Sequence, residues 1–339
     1  MVVQYLSLSG LDTGMSTIDM QKYDNLLDMK SRFTGCLLGV TLADSLGALF
    51  EWQDSYTIQG RYDNPADLIE NAPFHEDGVL YYTDDTQMTI GVAETLLEYG
   101  EINPAELLKV FADNFDDWRG YGLGTRKIIS SFYVNGSQDR LSESYFSDGS
   151  FGNGGAMRVA PVGLFFMNDH DMLWEQAKLS SITTHSHPLG VEGAQLMALA
   201  VGVVAKMHTF DRDELFKSLL DRCLSDEYRT KIDQAIRTTS HRDLPALGTD
   251  ITALDSVITA ITCFSLTPES YTDTIGNAIM LGGDTDTIAG MAGALSGVFL
   301  GIKSLPERLL VSLEDKGSIK GKAYISKLAD LLYQKTTRI

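Results

Sequence analysis

Two short segments carry more carboxylates and hydroxyls than a helix start requires. One is Tyr82-Thr83-Asp84-Asp85-Thr86, leading into Gln87–Tyr99; the other is Leu281-Gly282-Gly283-Asp284-Thr285-Asp286-Thr287, leading into a glycine-striped run. Asp and Thr are favoured N-caps, and capping accounts for one of each per segment. It leaves the other carboxylates unexplained. Brought together, Asp84, Asp85, Asp284 and Asp286 would repel one another unless a cation sat among them. The donors are all oxygen, with no Cys or His in either segment, which suits Mg²⁺ or Mn²⁺ and not Zn²⁺. Glu51, at the end of Phe33–Phe50, either joins this cluster or is a solvated helix-end residue. Because 199 residues separate Asp85 from Asp284, only tertiary folding can assemble such a site.

Three further stretches have the character of ligand-holding loops. Arg119-Gly120-Tyr121-Gly122-Leu123-Gly124 alternates glycine, and Gly149-Ser150-Phe151-Gly152-Asn153-Gly154-Gly155 has four glycines in seven residues. Glycine admits positive φ and lets amide groups approach a ligand closely. Neither stretch follows a strand or sits in βαβ alternation, so neither is a dinucleotide fingerprint, and each alone is either a plain loop or a phosphate cradle. In Thr184-His185-Ser186-His187-Pro188, directly before a helix, a neutral imidazole that contacts a ligand competes with a buried His beside a capping Ser186. Phe151 and Tyr121 are either stacking surfaces for a base or ribose, or core aromatics.

The elements that must position these residues read as helices. Phe33–Phe50 places Gly35, Gly39, Ala43 and Gly47 on one face, and Gly290, Ala294 and Val298 run beside Gly293, Gly297 and Gly301. Each helix-interior glycine costs ~1 kcal/mol relative to Ala, so close approach of two backbones is expected to compensate. Helix starts are expected at Asn103-Pro104, at Asp211 with Glu214, at Ser304-Leu305-Pro306-Glu307, at Thr267-Pro268 and at Pro188. Gly78–Tyr82 is at most a short extended piece. The expected fold is all-α: a single compact orthogonal helical domain over residues 31–339, with residues 1–30 as a polar arm, flexible or partner-binding. A domain of this size needs no second subunit to bury its core.

Composition narrows the function classes. The 339 residues hold 27 basic and 46 acidic side chains, a net charge of −19, with 44% hydrophobic residues. That is a globular balance, and a poor one for gripping nucleic-acid phosphates. Met1–Met20 has no Lys or Arg before its mildly apolar stretch, unlike a secretory signal. The longest uncharged apolar window, about Thr287–Ile302, falls short of the ~20 residues that span a bilayer. Cys36, Cys223 and Cys263 are isolated and odd in number, so reduced core thiols in a cytoplasmic, non-membrane protein are expected.

Taken in order, GCLLGVTLADSLGALFEW, YTDDTQMT, RGYGLG, GSFGNGGAMRVAP with THSHPLGVEGA, and LGGDTDTIAGMAGALSGVFLG resemble the ADP-ribosylglycohydrolase family over about residues 32–302. The glycine-loop form and RGYGLG look most like the branch that includes serine-type ADP-ribosyl hydrolases; the arginine-type branch, with the dinitrogenase-reductase-activating glycohydrolases, stays open. The resemblance implies an all-α fold with two neighbouring Mg²⁺ ions, Mn²⁺ in some members, at the bottom of a cleft. It implies Thr83, Asp84, Asp85, Asp284, Asp286 and Thr287 as metal ligands, and Glu51 as an acidic residue that touches or gates the metal site. It places Gly120, Gly122 and Gly124 near a diphosphate. Gly149, Ser150, Phe151, Gly152, Asn153 and Gly154 match the loop cradling phosphates and ribose, and His185 the adenosine side. The implied reaction removes ADP-ribose from a modified protein side chain through an oxocarbenium-like transition state, with proton exchange by Asp84, Asp85 or Glu51. A competing reading, prompted by the long N-terminal arm, is an immunity protein that binds and blocks a cognate ADP-ribosyltransferase.

Overall fold

The computed structural model describes residues 17–135, 149–315 and 320–337. Among them the chain is helical, without β-strands and with three isolated bridges. In order the helices are α1 (Thr17–Gly47), α2 (Ser55–Gln59), α3 (Pro65–Asn71), α4 (Asp84–Tyr99), α5 (Pro104–Asn114) and α6 (Leu123–Asn135). Then come α7 (Gly154–Met157), α8 (Ala160–Phe165), α9 (His170–Ile182), α10 (Pro188–Lys206), α11 (Arg212–Arg222) and α12 (Asp226–Arg237). The chain continues through α13 (Ala253–Leu266), α14 (Tyr271–Met280), α15 (Thr285–Leu300), α16 (Glu307–Ser312) and α17 (Lys322–Thr336).

Local chemistry explains most boundaries. Thr83, Asn103, Asp211, Ser225, Thr252 and Ser270 each cap the helix that follows, their side-chain oxygen accepting a first-turn amide. Gly100, at φ +79°, ends α4 in the left-handed conformation that glycine takes without strain. Two expected starts shift. The Thr267 hydroxyl bonds back to the Cys263 carbonyl and closes α13, so Ser270 starts α14 instead. Ser304 donates to the Gly301 carbonyl inside a 3₁₀ turn and does not cap α16. The extended piece at Leu80 forms one parallel bridge to Leu313.

Helices α10, α13 and α15 are apolar almost all round and form the buried centre. One of them, α10, is long and apolar enough to cross a membrane, but 83% of its most apolar window is covered by other helices. Around this centre pack α1, α14, α9 and α12, and α17 lies along α1 through the Phe33–Tyr333 ring contact and the Lys30–Asp330 ion pair at 3.0 Å. The helix α1 runs across residue 31 without a break; residues 1–16 of the expected arm lie outside the described residues.

The closest helix pair is α1 against α15, antiparallel. A methyl group on Gly35 would stand 2.3 Å from the Gly297 carbonyl oxygen, and one on Gly39 2.4 Å from that of Gly293. One on Gly47 would meet the Cα of Asp286 at 2.6 Å. The stripe on α15 that faces α1 is thus Gly293 and Gly297, continued by Gly301 against Ser31, while Gly290 faces the side chains of Asp44 and Asp85. The two backbones touch at these glycines, with the Ala43 methyl packed against Gly293.

This contact leaves no room for growth on either helix. We expect Gly297→Ala to lower the unfolding free energy by about 2–3 kcal/mol or more in urea titrations. Gly122→Ala, where an added methyl meets nothing, should change it by less than about 0.5 kcal/mol.

Candidate functional site

The glycine contact ends at the two acidic segments. The Thr285 hydroxyl donates to the Gly47 carbonyl at 2.8 Å, fixing the start of α15 on the end of α1. Three residues before Gly47, the fully buried Asp44 carboxylate accepts from Thr83 Oγ1 at 2.7 Å, Thr86 Oγ1 at 2.5 Å and the amides of Thr83 and Thr86. Asp44 therefore holds the start of α4 against α1. It escaped the sequence reading because it looked like one polar residue in a small-residue helix. The signal was there: a lone carboxylate on a face otherwise kept free for backbone contact.

With both helix starts fixed on α1, Thr83, Asp84, Asp85, Asp284, Asp286 and Thr287 line one cavity of about 580 Å³. Glu51 lines it too, and with Asp284 and Asp286 forms a tighter group whose ligand oxygens lie within 4.8 Å of one another. Asp84 and Asp85 border the cavity but fall outside that group. Of the glycine-loop residues, Gly120, Gly122, Gly124, Ser150, Gly152, Asn153 and Gly154 line the same cavity, as does His185.

Two expected residues do not reach it. Gly149 is buried at φ +80° against Ser186 and His187, and Phe151 is 52% exposed with its ring edge-on to His187 at 5.6 Å. Tyr121 is a core aromatic, packed on Phe115 and donating to Gln87 Oε1 at 2.8 Å. Part of the glycine-loop signal is internal packing: a methyl on Gly154 would stand 2.4 Å from the His185 ring, and one on Gly155 2.4 Å from Ser181 Oγ.

Two clamps shape the rim. Trp52 donates its amide to the Gly283 carbonyl at 2.9 Å and Gly283 donates to the Gln53 carbonyl at 3.0 Å, which ties the Glu51 turn to the second acidic segment. Trp52 itself sits at φ +64° and is 67% exposed beside the cavity, a strained position for a bulky residue. Behind the first acidic segment, buried Arg119 forms a bidentate pair with buried Glu314 at 2.5 and 2.9 Å and donates to the Tyr82 carbonyl at 2.6 Å. Its guanidinium stacks 3.6 Å from the Tyr82 ring centre and 4.1 Å from that of Trp118.

The electrostatics are those of crowded carboxylates. No Lys or Arg lines the cavity among the described residues. Burial first, then Asp284 and Asp44, raise Glu51 to about 7; burial, then mainly Asp44, raises Asp84 to about 8. Asp85 and Asp286 are pushed well above the usual carboxylate range by burial and by their acidic neighbours. Burial raises Asp44 to about 6 against the hydrogen bonds from Thr86 and Thr83. Asp284 is raised by burial although Asn153 Nδ2 donates to it at 2.5 Å. Asp85 Oδ2 is buried without any hydrogen-bond partner, and Asp284, unlike Thr83, caps no helix amide with its side chain. An orphaned carboxylate oxygen, a three-carboxylate group and an all-oxygen donor set fit a hard divalent cation.

The model of the family described as ADP-ribosylglycohydrolase matches residues 25–338. ADP-ribosylhydrolase ARH3 of Homo sapiens is 33% identical over 326 residues, covering 84% of this chain and 89% of that protein. The Mus musculus ARH3 is 33% identical over 327 residues, covering 84% and 88%. A solved structure titled ADP-ribosylglycohydrolase-related protein complex superposes with a TM-score of 0.69 at 21% identity, covering 91% of this chain and 99% of that one, and shares the fold.

Because the carboxylate pKa values are higher folded than unfolded, the metal-free fold binds extra protons. The stability tied to those protons is complete below about pH 4 and is lost as pH rises through about 6 to 8. We therefore expect chelated protein to melt at lower temperature at about pH 8 than at about pH 5, and added Mg²⁺ to raise the melting temperature more at the higher pH. A flat profile with no response to Mg²⁺ would remove the cation-cage reading. Replacing strained, exposed Trp52 with glycine should stabilise the fold by about 1 kcal/mol in denaturant titrations.

Proposed function

Because the chain belongs to the ADP-ribosylglycohydrolase family, we propose that it is a Mg²⁺-dependent hydrolase that removes ADP-ribose from modified protein side chains. The observation that carries this reading is the convergence of Glu51, Asp284 and Asp286 at the floor of a cavity that the two glycine loops and His185 also line. Thr83, Asp84, Asp85, Asp284, Asp286 and Thr287, with Glu51, would hold two ions, Mg²⁺ or Mn²⁺. Bound there, such ions supply charge neutralisation, ribose orientation and a more acidic water.

The chain's own groups divide the remaining work. Gly120, Gly122, Gly124, Gly152 and Gly154 of the two loops line the cavity, and backbone free of side chains there would admit a diphosphate close to the chain. His185, buried and neutral, lines the same wall for the adenosine half. Proton exchange with water or with the leaving side chain is assigned to Glu51 or Asp84, the half-buried carboxylates; Asp85, Asp284 and Asp286 are buried. Charge build-up at the anomeric carbon in an oxocarbenium-like transition state is opposite in sign to this acidic floor, so the floor favours that state over the ground state.

The relatives named ADP-ribosylhydrolase support an ADP-ribosylated substrate; the resemblance of GSFGNGGAMR and RGYGLG to the serine-type branch points to a serine linkage, with arginine the alternative. We place the enzyme in the cytoplasm on its three unpaired cysteines. The immunity reading draws on an arm of which residues 1–16 lie outside the described residues, and no observation here favours it.

Incubation with Mg²⁺ and peptides ADP-ribosylated on Ser or on Arg, with released ADP-ribose measured, tests the proposal. Release should be at least tenfold faster from one linkage, and Asp286→Ala should reduce it by roughly a thousandfold or more with helical content unchanged. Full turnover by that variant or in excess chelator would refute the assignment.

A further inference from the structure

Arg158 is among the largest fully buried side chains of the described residues, and no carboxylate bonds to it. Its Nη2 donates to the Ser180 carbonyl at 2.6 Å, its Nη1 to Thr184 Oγ1 at 2.8 Å, and the Phe111 ring centre lies 4.9 Å from the guanidinium. A guanidinium has donors only, so Thr184 Oγ1 must accept from it. The Thr184 hydroxyl is 2% exposed and has one other polar neighbour, His185 Nδ1, at 2.7 Å.

That geometry decides where the imidazole proton sits. If Nδ1 carried it, the hydroxyl would accept twice and its own proton would be buried without an acceptor, a costly arrangement. If Nδ1 is bare, the hydroxyl accepts from Arg158 and donates to His185, and both the hydroxyl and Nδ1 are satisfied. Burial first, and the Arg158 charge second, push the imidazole down to about 3, so the ring is neutral and has a single proton to place. The other ring nitrogen, Nε2, turns toward the glycine loop, 3.3 Å from where a methyl on Gly152 would stand.

We propose that Arg158 and Thr184 are positioning residues that lock His185 as its Nε2–H tautomer, a fixed donor to an acceptor atom on the adenosine half of an ADP-ribose ligand. The ligand part of this inference rests on the hydrolase reading; the tautomer part rests on geometry alone. A fixed donor matters here because the acidic residues that line the same cavity only accept once ionised. The buried cation also gives this side of an otherwise acidic cavity a positive potential, which suits the diphosphate.

Two-bond ¹H–¹⁵N spectra of ¹⁵N-labelled protein report which ring nitrogen is protonated, and His185→Asn identifies the His185 signals among the six histidines. The wild type should show Nε2 protonated and Nδ1 bare. Thr184→Val removes the donor at constant shape and should bring in the Nδ1–H form and weaken ADP-ribose binding roughly tenfold. Thr184→Ser should restore both, which separates a lost hydrogen bond from a lost fold. An Nδ1–H or doubly protonated ring in the wild type would overturn the lock, as would Thr184→Val with wild-type affinity. Wild-type protein that shows Nε2–H yet binds no ADP-ribose would support the lock and count against the hydrolase reading alone.

Discussion

Backbone contact between α1 and α15 is the constraint on which the site depends. Four glycines, Gly35 and Gly39 on one helix and Gly293 and Gly297 on the other, bring carbonyl groups where side chains would otherwise stand. Each glycine costs helix propensity, and the return is positional. At the end of the contact, Thr285 docks on Gly47, and Asp286 is set down one step further, with no side chain free to act as a spacer. The same helix carries Asp44, which gathers Thr83 and Thr86 and so fixes the other acidic segment. One helix thus dictates the position of carboxylates that are 199 residues apart in the chain.

That arrangement is unfavourable for an isolated protein. Burial raises the pKa values of six carboxylates, those of Asp44, Glu51, Asp84, Asp85, Asp284 and Asp286, and acidic neighbours among them raise Glu51, Asp84, Asp85 and Asp286 further; no Lys or Arg lines the cavity among the described residues. Folds store such repulsion where a ligand relieves it, and the backbone strain at Trp52 sits beside the same group. The fold holds these carboxylates in place through packing, so the proposed cation cage is arranged by the protein itself.

Much of this was legible in the residues. The four-residue spacing of small side chains announced the helix contact, and the surplus of carboxylates over capping needs announced the cluster. The helix ends at Asn103, Asp211 and Pro188 followed from local chemistry. What was hidden depended on tertiary partners. Asp44 and Arg158 read as ordinary polar residues until the fold showed what they hold, and the Gly154 and Gly155 pair read as a ligand cradle although both also make room for His185 and Ser181. The starts near Thr267 and Ser304 moved because those hydroxyls found carbonyls of the preceding turn, a competition that sequence pattern does not resolve.

The Arg119–Glu314 pair ties the order of synthesis to the architecture of the cleft. Glu314 belongs to the last tenth of the sequence, yet it accepts the Tyr82 amide and both arms of Arg119, at the lead-in to Thr83. A nascent chain displays every acidic residue of the cavity before Glu314 has left the ribosome. Until then Arg119 lacks its anion, and the first acidic segment is held from the α1 side only. Assembly of this side of the cleft therefore waits for the segment around Glu314, which follows all the acidic residues of the cavity in the chain.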